Sequence, residues 1–169
     1  VGKKVNGQPC QIGVIDLPSF YMDMAGAKLG LPDFRSTTRD VRKILEDFNA
    51  KQVDAVVLDL RRNGGGSLQE AINLTGLLTG EGPIVQVKDS DGRVQPYDNV
   101  EPGPIYKGPL VVLISKFSAS ASEILAGAIQ DYHRGLIVGD HSTHGKGTVQ
   151  SLMELGPQIL RISSAPKMG

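Results

Sequence analysis

The sequence predicts an α/β domain in which helices pack on a mixed sheet. Two segments carry this prediction, residues 54–80 and 110–132, because each passes from an apolar strand through a loop into an amphipathic helix. Two such strand–loop–helix units between shorter strands are typical of α/β domains. The third observation is length, since 169 residues suffice for one well-packed core and suit a single domain.

The start of the chain contains one predicted strand and one predicted helix. The strand, residues 11–17, follows a turn signal at Asn6-Gly7. The next twenty or so residues contain several glycines and prolines and predict irregular connection. After them the apolar residues recur at helical spacing, which predicts a helix with Thr37 and Asp40 as its cap.

The first strand–loop–helix unit begins with a near-continuous apolar run at residues 54–60, typical of a strand covered on both faces. This strand ends at the glycine loop Asn63-Gly64-Gly65-Gly66. Ser67 and Glu70 then form a capping-box pattern. Gly80 is placed to end the helix that follows.

A hairpin and a loop separate the two units. Asp91-Gly92, flanked by residues 84–88 and 93–95, is a strong hairpin signal. The proline-rich and acidic residues 96–104 are typical of a surface loop.

The second unit repeats the pattern, with a buried strand at residues 110–114, a helix at 120–132 and Gly135 at its predicted end. Further strands are predicted at residues 135–139, 148–155 and 159–163. Ligands of open α/β sheets bind at the carboxyl ends of strands. The loops at residues 64–66 and 118–122 are therefore the predicted functional loops.

Composition and charge exclude several classes of function. Hydrophobic residues make up 40% and charged residues 21% of the chain, as in ordinary soluble domains. The net charge is zero and no run of Lys or Arg occurs, so nucleic acid and anionic membrane surfaces are not expected partners. The longest apolar runs are far shorter than the roughly 20 residues that cross a bilayer.

Disulfide, metal and nucleotide sites are also not expected. Cys10 is the single cysteine, and no His, Cys or carboxylate cluster has the spacing of zinc ligands. Residues 139–148 are close to a phosphate-loop pattern, but five residues separate Gly139 from Gly145 where four are required. Gly147 also replaces the hydroxyl residue that follows the lysine of such loops.

Ser120 has two interpretations from the residues alone. With Glu123 it satisfies the capping-box pattern, which predicts a helix cap with no further role. A serine at a strand-to-helix turn also exposes its hydroxyl beside unpaired helix N–H groups, which can stabilise a developing oxyanion. In this second interpretation Ser120 is a nucleophile and the Ala121 N–H is one oxyanion donor.

A serine nucleophile needs a base. His133, His141 and His144 are candidates, and a lysine can serve if it is neutral at the working pH. The pKa of such a lysine must fall by about 3 units, at a cost of roughly 4 kcal/mol, which requires an apolar and partly buried setting. Lys146 lies between two glycines, which let the backbone fold tightly enough to bring its side chain inward. The alternative is a solvated turn lysine.

Three blocks of sequence occur in an informative order. They are Asp59-Leu60-Arg61-Arg62-Asn63-Gly64-Gly65-Gly66, then Ser118-Ala119-Ser120-Ala121-Ser122-Glu123-Ile124 with Gln130-Asp131, and then Gly145-Lys146-Gly147-Thr148-Val149-Gln150. In order and spacing they resemble the C-terminal processing peptidases, also called tail-specific proteases. The resemblance runs from about Gln11 to the end of the chain and is far more specific than any single motif.

This resemblance implies a serine–lysine pair. It assigns the nucleophile to Ser120, the middle serine of its block, and the base to Lys146. The glutamine that orients the lysine in many members corresponds to Gln150. On an extended segment, residues four apart point to the same face, so this assignment is geometrically sensible.

The resemblance also implies an oxyanion hole. An N–H from Gly65 or Gly66, with Gly66 favoured, would join that of Ala121. Asp131 matches an acid considered in this family, but eleven residues of helix separate it from Ser120 by about 16 Å. We therefore expect Asp131 to be structural and Glu123 to be the reciprocal helix cap.

The family's function and setting follow as expectations. The resemblance implies a serine endopeptidase that cleaves proteins near the C-termini of unfolded or tagged substrates, with no metal or cofactor. It implies a crotonase-like fold, with residues 1–169 as one catalytic core and no PDZ domain or further C-terminal sheet within them. The chain begins at Val1 without a signal-like segment, so we expect a piece of a longer product.

The implied parent protein is bacterial and exported, with the periplasm as its compartment. A peripheral association with the inner membrane is compatible with that location. The residues do not indicate the physiological substrate or the oligomeric state.

Two other functions stay open. One is a non-catalytic peptide- or ligand-binding module on the same scaffold, since a fold does not fix activity. The other is an amide or ester hydrolase acting on small molecules. The joint presence of Ser120, Lys146 and Gln150 favours the peptidase.

Overall fold

The structure of the chain is a computed structural model that describes residues 2–4 and 7–148. The strands predicted at residues 148–155 and 159–163 lie wholly or almost wholly outside the described residues, as does Gln150. In chain order the described elements are β1 (Ile12–Asp16), α1 (Met24–Lys28), α2 (Thr37–Ala50), β2 (Ala55–Asp59), α3 (Leu68–Thr79), β3 (Gly82–Lys88), β4 (Val94–Asn99), β5 (Leu110–Ile114), α4 (Ala121–Asp131) and β6 (Leu136–Gly139).

The main sheet has four parallel strands in the order β1-β2-β5-β6. Each connection between these strands contains at least one helix, which is what parallel neighbours require. Strands β3 and β4 pair antiparallel and form a separate two-stranded sheet. The predicted α/β class is confirmed, and the sheet in this part of the chain is parallel rather than mixed.

The core lies between one face of the sheet and three helices. Helix α3 packs against both α2 and α4. Val56 and Leu58 of β2 are each 1% exposed and join a cluster with Leu45, Leu74 and Leu125 from the three helices. One alternating set of side chains from the main sheet thus packs against the helices.

The other face of the sheet has a different environment. Ile12 and Val14 of β1 and Leu136 and Val138 of β6 are exposed, each by about half or more. Strand β2 lies where a strand was predicted, but its buried and partly buried residues alternate. Among the described residues it is therefore covered fully on one face only.

Some local predictions were wrong in informative ways. The cap of α2 is Ser36, whose hydroxyl accepts the Arg39 N–H, and Thr37 and Asp40 lie inside the helix. The carboxylate of Glu70 does not return to Ser67 but accepts hydrogen bonds from Ser36 and Thr38 at the start of α2. Tertiary contacts decide both cases.

Three other boundaries also differ. Helix α1 lies in the stretch predicted to be irregular, and β4 extends through residues 96–99, which were predicted to be loop. Helix α4 ends at Asp131 with Tyr132 as its C-cap, and His133 follows with a φ of 50°, before Gly135 is reached. Within the described residues, no helix is long and apolar enough to span a membrane.

Candidate active site

The two predicted functional loops lie side by side at one edge of the sheet. The glycine loop follows β2 and the serine turn follows β5, and these two strands are hydrogen-bonded neighbours. Because parallel strands have their carboxyl ends at the same edge, the loops meet there. The site is therefore formed by main-chain segments between strand ends and helix starts.

Ser120 is the N-cap residue of α4 and has an unusual backbone conformation. Its φ is 57° and its ψ is −115°, a region that costs a non-glycine residue about 1–3 kcal/mol. Its N–H donates to Oε2 of Glu123 at 2.7 Å, and its carbonyl accepts the Glu123 N–H at 2.9 Å. A strained serine on a sharp strand-to-helix turn is the arrangement that presents a nucleophile in hydrolases.

The two neighbouring serines have structural contacts. The Ser118 hydroxyl donates to the Leu60 carbonyl at 2.7 Å, and the Ser122 hydroxyl donates to the Asn63 carbonyl at 2.8 Å. Both side chains are fully buried. Ser120 is partly exposed, so it is the serine of this block that can meet a substrate.

Asn63 fixes the glycine loop against the serine turn. Its side chain accepts the Gly65 N–H at 2.8 Å and donates to the Leu17 carbonyl at 2.9 Å. Its own carbonyl accepts the Ala119 N–H at 3.1 Å and the Ser122 hydroxyl. The sequence predicted no role for this residue beyond its place in the glycine loop.

Gly65 makes room for Ser120. Its φ is 107°, and a Cβ at this position would lie 2.8 Å from the Ser120 Cβ and 3.2 Å from the Ala121 nitrogen. Real Cβ atoms do not approach other atoms as closely as 2.8 Å. Only glycine therefore permits this contact between the loop and the turn.

The backbone N–H groups of Gly66 and Ala121 are available as donors near Ser120. That of Gly65 is not, because it donates to the Asn63 side chain. The Gly66 N–H has no hydrogen-bond partner within the described part of the chain. Gly66 lies opposite Phe20 in a parallel bridge, and the two hydrogen bonds of that bridge are made by the Gly65 carbonyl and the Ser67 N–H. The Ala121 N–H at the start of α4 is likewise without a partner among the described residues.

The loop that carries Lys146 docks on the serine turn through its backbone. The His144 N–H donates to the Ser118 carbonyl at 3.0 Å. The Lys146 N–H donates to Oε2 of Glu123 at 2.9 Å, and the Gly145 N–H donates to Oε1. The Lys146 side chain is exposed, so the apolar cover that a lysine base requires is not present among the described residues.

The Glu123 carboxylate is held in its charged form. Burial alone would raise its pKa, but hydrogen bonds from Thr143, Gly145, Ser120 and Lys146 outweigh that effect and lower the pKa below its usual value. Hydrogen bonds to a charged carboxylate stabilise that form. Glu123 is thus an ionised acceptor and not a proton donor at neutral pH.

The remaining ionisable candidates are either remote from Ser120 or exposed. Asp131 is the last residue of α4, at the opposite end of the helix from Ser120. His133, His141 and His144 are all exposed. No group of three or more His, Cys, Asp or Glu side chains able to hold a metal occurs in residues 2–4 and 7–148.

An open groove lies beside the two loops. It is lined by Arg61 and Arg62, which precede the glycine loop, and by Ser115 and Phe117, which precede the serine turn, with a volume of about 530 Å³. Phe117 is 65% exposed. A second cavity, at Tyr132 near the other end of α4, is remote from this site.

In sequence the chain is similar to known peptidases. Residues 11–167 match peptidase family S41. The chain is 43% identical over 153 residues to a tail-specific protease of Haemophilus influenzae, and this match covers 90% of the chain and 20% of that protein. It is 40% identical over 146 residues to the chloroplastic carboxyl-terminal-processing peptidase 2 of Arabidopsis thaliana, covering 86% of the chain and 26% of that protein.

A solved structure supports the same relationship. The photosystem II D1 C-terminal processing protease superposes with a TM-score of 0.69 at 34% identity, covering 85% of this chain and 34% of that one. The chain therefore corresponds to between a fifth and about a third of the lengths of these relatives.

Proposed function

The chain belongs to peptidase family S41, and from that premise we propose that it is the catalytic core of a serine endopeptidase with Ser120 as nucleophile and Lys146 as base. The observation that carries the proposal is the meeting of three features at one sheet edge. These are the strained Ser120, two backbone N–H groups that have no partner among the described residues, and the Lys146 loop docked on the serine turn.

The reaction would proceed by acyl transfer. The Ser120 Oγ forms a bond to the substrate carbonyl carbon while Lys146 Nζ takes the hydroxyl proton. The carbonyl oxygen becomes an oxyanion, which the N–H groups of Gly66 and Ala121 stabilise. The C–N bond then breaks, and Lys146 returns its proton to the leaving amine. The Lys146 amine then takes a proton from water, which attacks the acyl carbon; the ester C–O bond breaks, and Lys146 returns the proton to Ser120 Oγ.

The N–H group of Gly66 suits the oxyanion role better than that of Gly65. The Gly65 N–H already donates to Asn63, and a donor engaged in the ground state cannot be directed at a developing charge without breaking that bond. Gln150 keeps its proposed role of orienting the Lys146 amine. Gln150 lies outside the described residues, so the structure does not test this role.

Lys146 must lose a proton to act as a base, and its side chain is exposed. We expect a substrate chain lying over Ser120 to supply part of the apolar cover that lowers a lysine pKa. The exposed Phe117 and the adjoining groove provide a surface on which such a chain could lie.

The substrates we propose are proteins cleaved near their C-termini, particularly unfolded or tagged ones. The names of the relatives, tail-specific protease and carboxyl-terminal-processing peptidase, support this class of substrate. We further propose that residues 1–169 form a single catalytic core of crotonase-like fold. The parent protein would be exported to a bacterial periplasm, in keeping with its similarity to bacterial proteases.

A serine-reactive fluorophosphonate tests this function directly. We expect it to modify the chain once, on the peptide that contains Ser120, and we expect Ser120→Ala to abolish both this modification and cleavage of an unfolded protein. Modification at another residue, or cleavage by Ser120→Ala at the wild-type rate, would refute the assignment.

The same assay separates the alternatives. A peptide-binding module would bind unfolded protein without modification at Ser120. A small-molecule hydrolase would turn over a simple ester and leave peptides intact, so the two substrates are assayed in parallel.

A further inference from the structure

We propose that Glu123 is a positioning residue that docks the Lys146 loop on the Ser120 turn and so sets the distance between nucleophile and base. This inference rests on the proposed function. It assigns to Glu123 a role beyond the helix cap that its sequence position predicts.

Four donors converge on the two oxygens of this carboxylate. Oε2 accepts the Ser120 N–H at 2.7 Å and the Lys146 N–H at 2.9 Å. Oε1 accepts the Thr143 hydroxyl at 2.7 Å and the Gly145 N–H. A single side chain therefore bonds to the backbone of both proposed catalytic residues.

Helix capping explains only one of these four contacts. The bond to the Ser120 N–H is the reciprocal half of a capping box. The other three donors belong to residues 143–146, which lie 20 to 23 residues further along the chain. The His144 N–H also links this loop to the turn, by a hydrogen bond to the Ser118 carbonyl.

Helix α3 supplies an internal comparison. Glu70 occupies the same position in α3 that Glu123 occupies in α4, three residues after the N-cap serine. Its carboxylate binds Ser36 and Thr38 at the start of α2 and makes no bond to Ser67. Helix α3 forms without a reciprocal cap, so a carboxylate at this position is free for tertiary docking.

The charge of Glu123 is part of the mechanism. An ionised carboxylate offers only acceptors, which matches four converging donors. A glutamine of the same shape would direct its amide N–H₂ at two of those donors. Glu123→Gln should therefore loosen the loop while the side-chain volume at the site is kept.

The test measures the rate of fluorophosphonate labelling against pH in wild type and in Glu123→Gln. We expect labelling at neutral pH to fall about 100-fold, because displacement of a catalytic group by about 1 Å has that effect. The rise of the rate with pH should also flatten, because an amine displaced from Ser120 no longer takes its proton. A purely structural cap would not change this profile.

Two further variants keep the result interpretable. Glu70→Gln, at the matching position, should lower the melting temperature and leave the pH profile unchanged. Thr143→Val removes one donor from the loop without altering α4, and we expect about a tenfold slower labelling from the loss of one charge-assisted hydrogen bond.

The outcomes separate the two proposals. A folded Glu123→Gln and a Thr143→Val that both label at the wild-type rate with an unchanged profile would overturn the docking role and leave the peptidase assignment intact. Absence of Ser120 labelling in wild type would instead refute the proposed function.

Discussion

At the scale of single residues, the three serines of residues 118–122 differ in what their hydroxyls contact. Ser118 and Ser122 donate to buried carbonyls of the β2–α3 segment. Ser120 is partly exposed and has a strained backbone. Ser118 and Ser122 thus stabilise the fold, and Ser120 is the serine that is available to react.

This division gives the first prediction. Ser122→Ala removes a buried hydrogen bond and should destabilise the fold by about 1–3 kcal/mol, while Ser120 labelling continues in the folded fraction. Ser120→Ala should keep the wild-type melting temperature and lose labelling. Thermal melting and mass spectrometry on the same samples measure both effects. A Ser122→Ala variant that melts at the wild-type temperature but is not labelled at Ser120 would contradict this prediction.

Gly65 gives the second prediction. Alanine here would adopt a φ of 107° and place its Cβ 2.8 Å from that of Ser120, so Gly65→Ala should cost at least about 2 kcal/mol and slow labelling of the displaced serine. Gly64→Ala is the matched control, since a Cβ on Gly64 meets no atom within 4 Å. Equal labelling rates and melting temperatures in the two variants would show that the loop does not press on the turn.

At the scale of secondary-structure elements, the sequence predicted the positions of β1, β2, β5, α3 and α4 well. Each has an apolar pattern that no neighbouring signal contradicts. Helix α1 was missed because it has only five residues and its glycine and flanking proline predict a loop. The Ser36 cap was missed because several hydroxyl residues in succession could each have served.

The other two errors have different causes. The Glu70 carboxylate bonds to α2 instead of to Ser67, and a local capping rule has no means of predicting a contact so distant in the sequence. Strand β4 extends through residues 96–99 because β3 pairs with it along that length. The turn at Asp91-Gly92 predicted this hairpin, but the proline and acidic residues of the second strand predicted a loop too early.

Arg134 gives a prediction at this scale, because it joins three segments just after α4. Its guanidinium donates to the carbonyls of Leu78, Tyr106 and Gly108. A lysine cannot reach three separated carbonyls, so Arg134→Lys should destabilise the fold by about 2 kcal/mol. The control is Arg93→Lys at an exposed ion pair, where chemical denaturation should show little change. Equal stability of both variants would refute the bridging role.

At the scale of the whole molecule, several carboxyl groups make the fold sensitive to acid. The ion pair with Lys4 lowers the pKa of Asp54, and the hydrogen bond from Arg61 lowers that of Asp59. The docked loop lowers the pKa of Glu123 despite its burial. His144 and Lys146 are the other titratable residues of that loop.

The direction of the pH effect follows from these lowered values. A carboxyl whose folded pKa lies below its unfolded pKa stabilises the fold above the unfolded pKa, and this contribution is lost as the pH falls through the folded pKa. We expect a constant melting temperature from pH 7 to about 5 and a decline below about pH 4. Glu123→Gln should decline less steeply. A melting temperature that rises on acidification would contradict this account.

The candidate site was predictable mainly through its resemblance to a family. The residues alone left Ser120 between a cap and a nucleophile and Lys146 between a base and a solvated turn. Neither the role of Asn63 nor the reach of Glu123 to residues 143–146 could be read from the sequence, since both depend on how separate loops meet. The catalytic roles of Ser120, Lys146 and Gln150 stay predictions.

The proposed mechanism depends above all on Lys146 as the base for Ser120. The most direct measurement is acyl-enzyme formation at Ser120, followed by mass spectrometry, in wild type, Lys146→Arg and His144→Gln with melting temperatures recorded alongside. Because arginine keeps the charge but does not deprotonate in proteins, we predict that Lys146→Arg folds and does not acylate, while His144→Gln acylates at nearly the wild-type rate. An acylating Lys146→Arg, or a folded His144→Gln that fails to acylate, would contradict the serine–lysine mechanism.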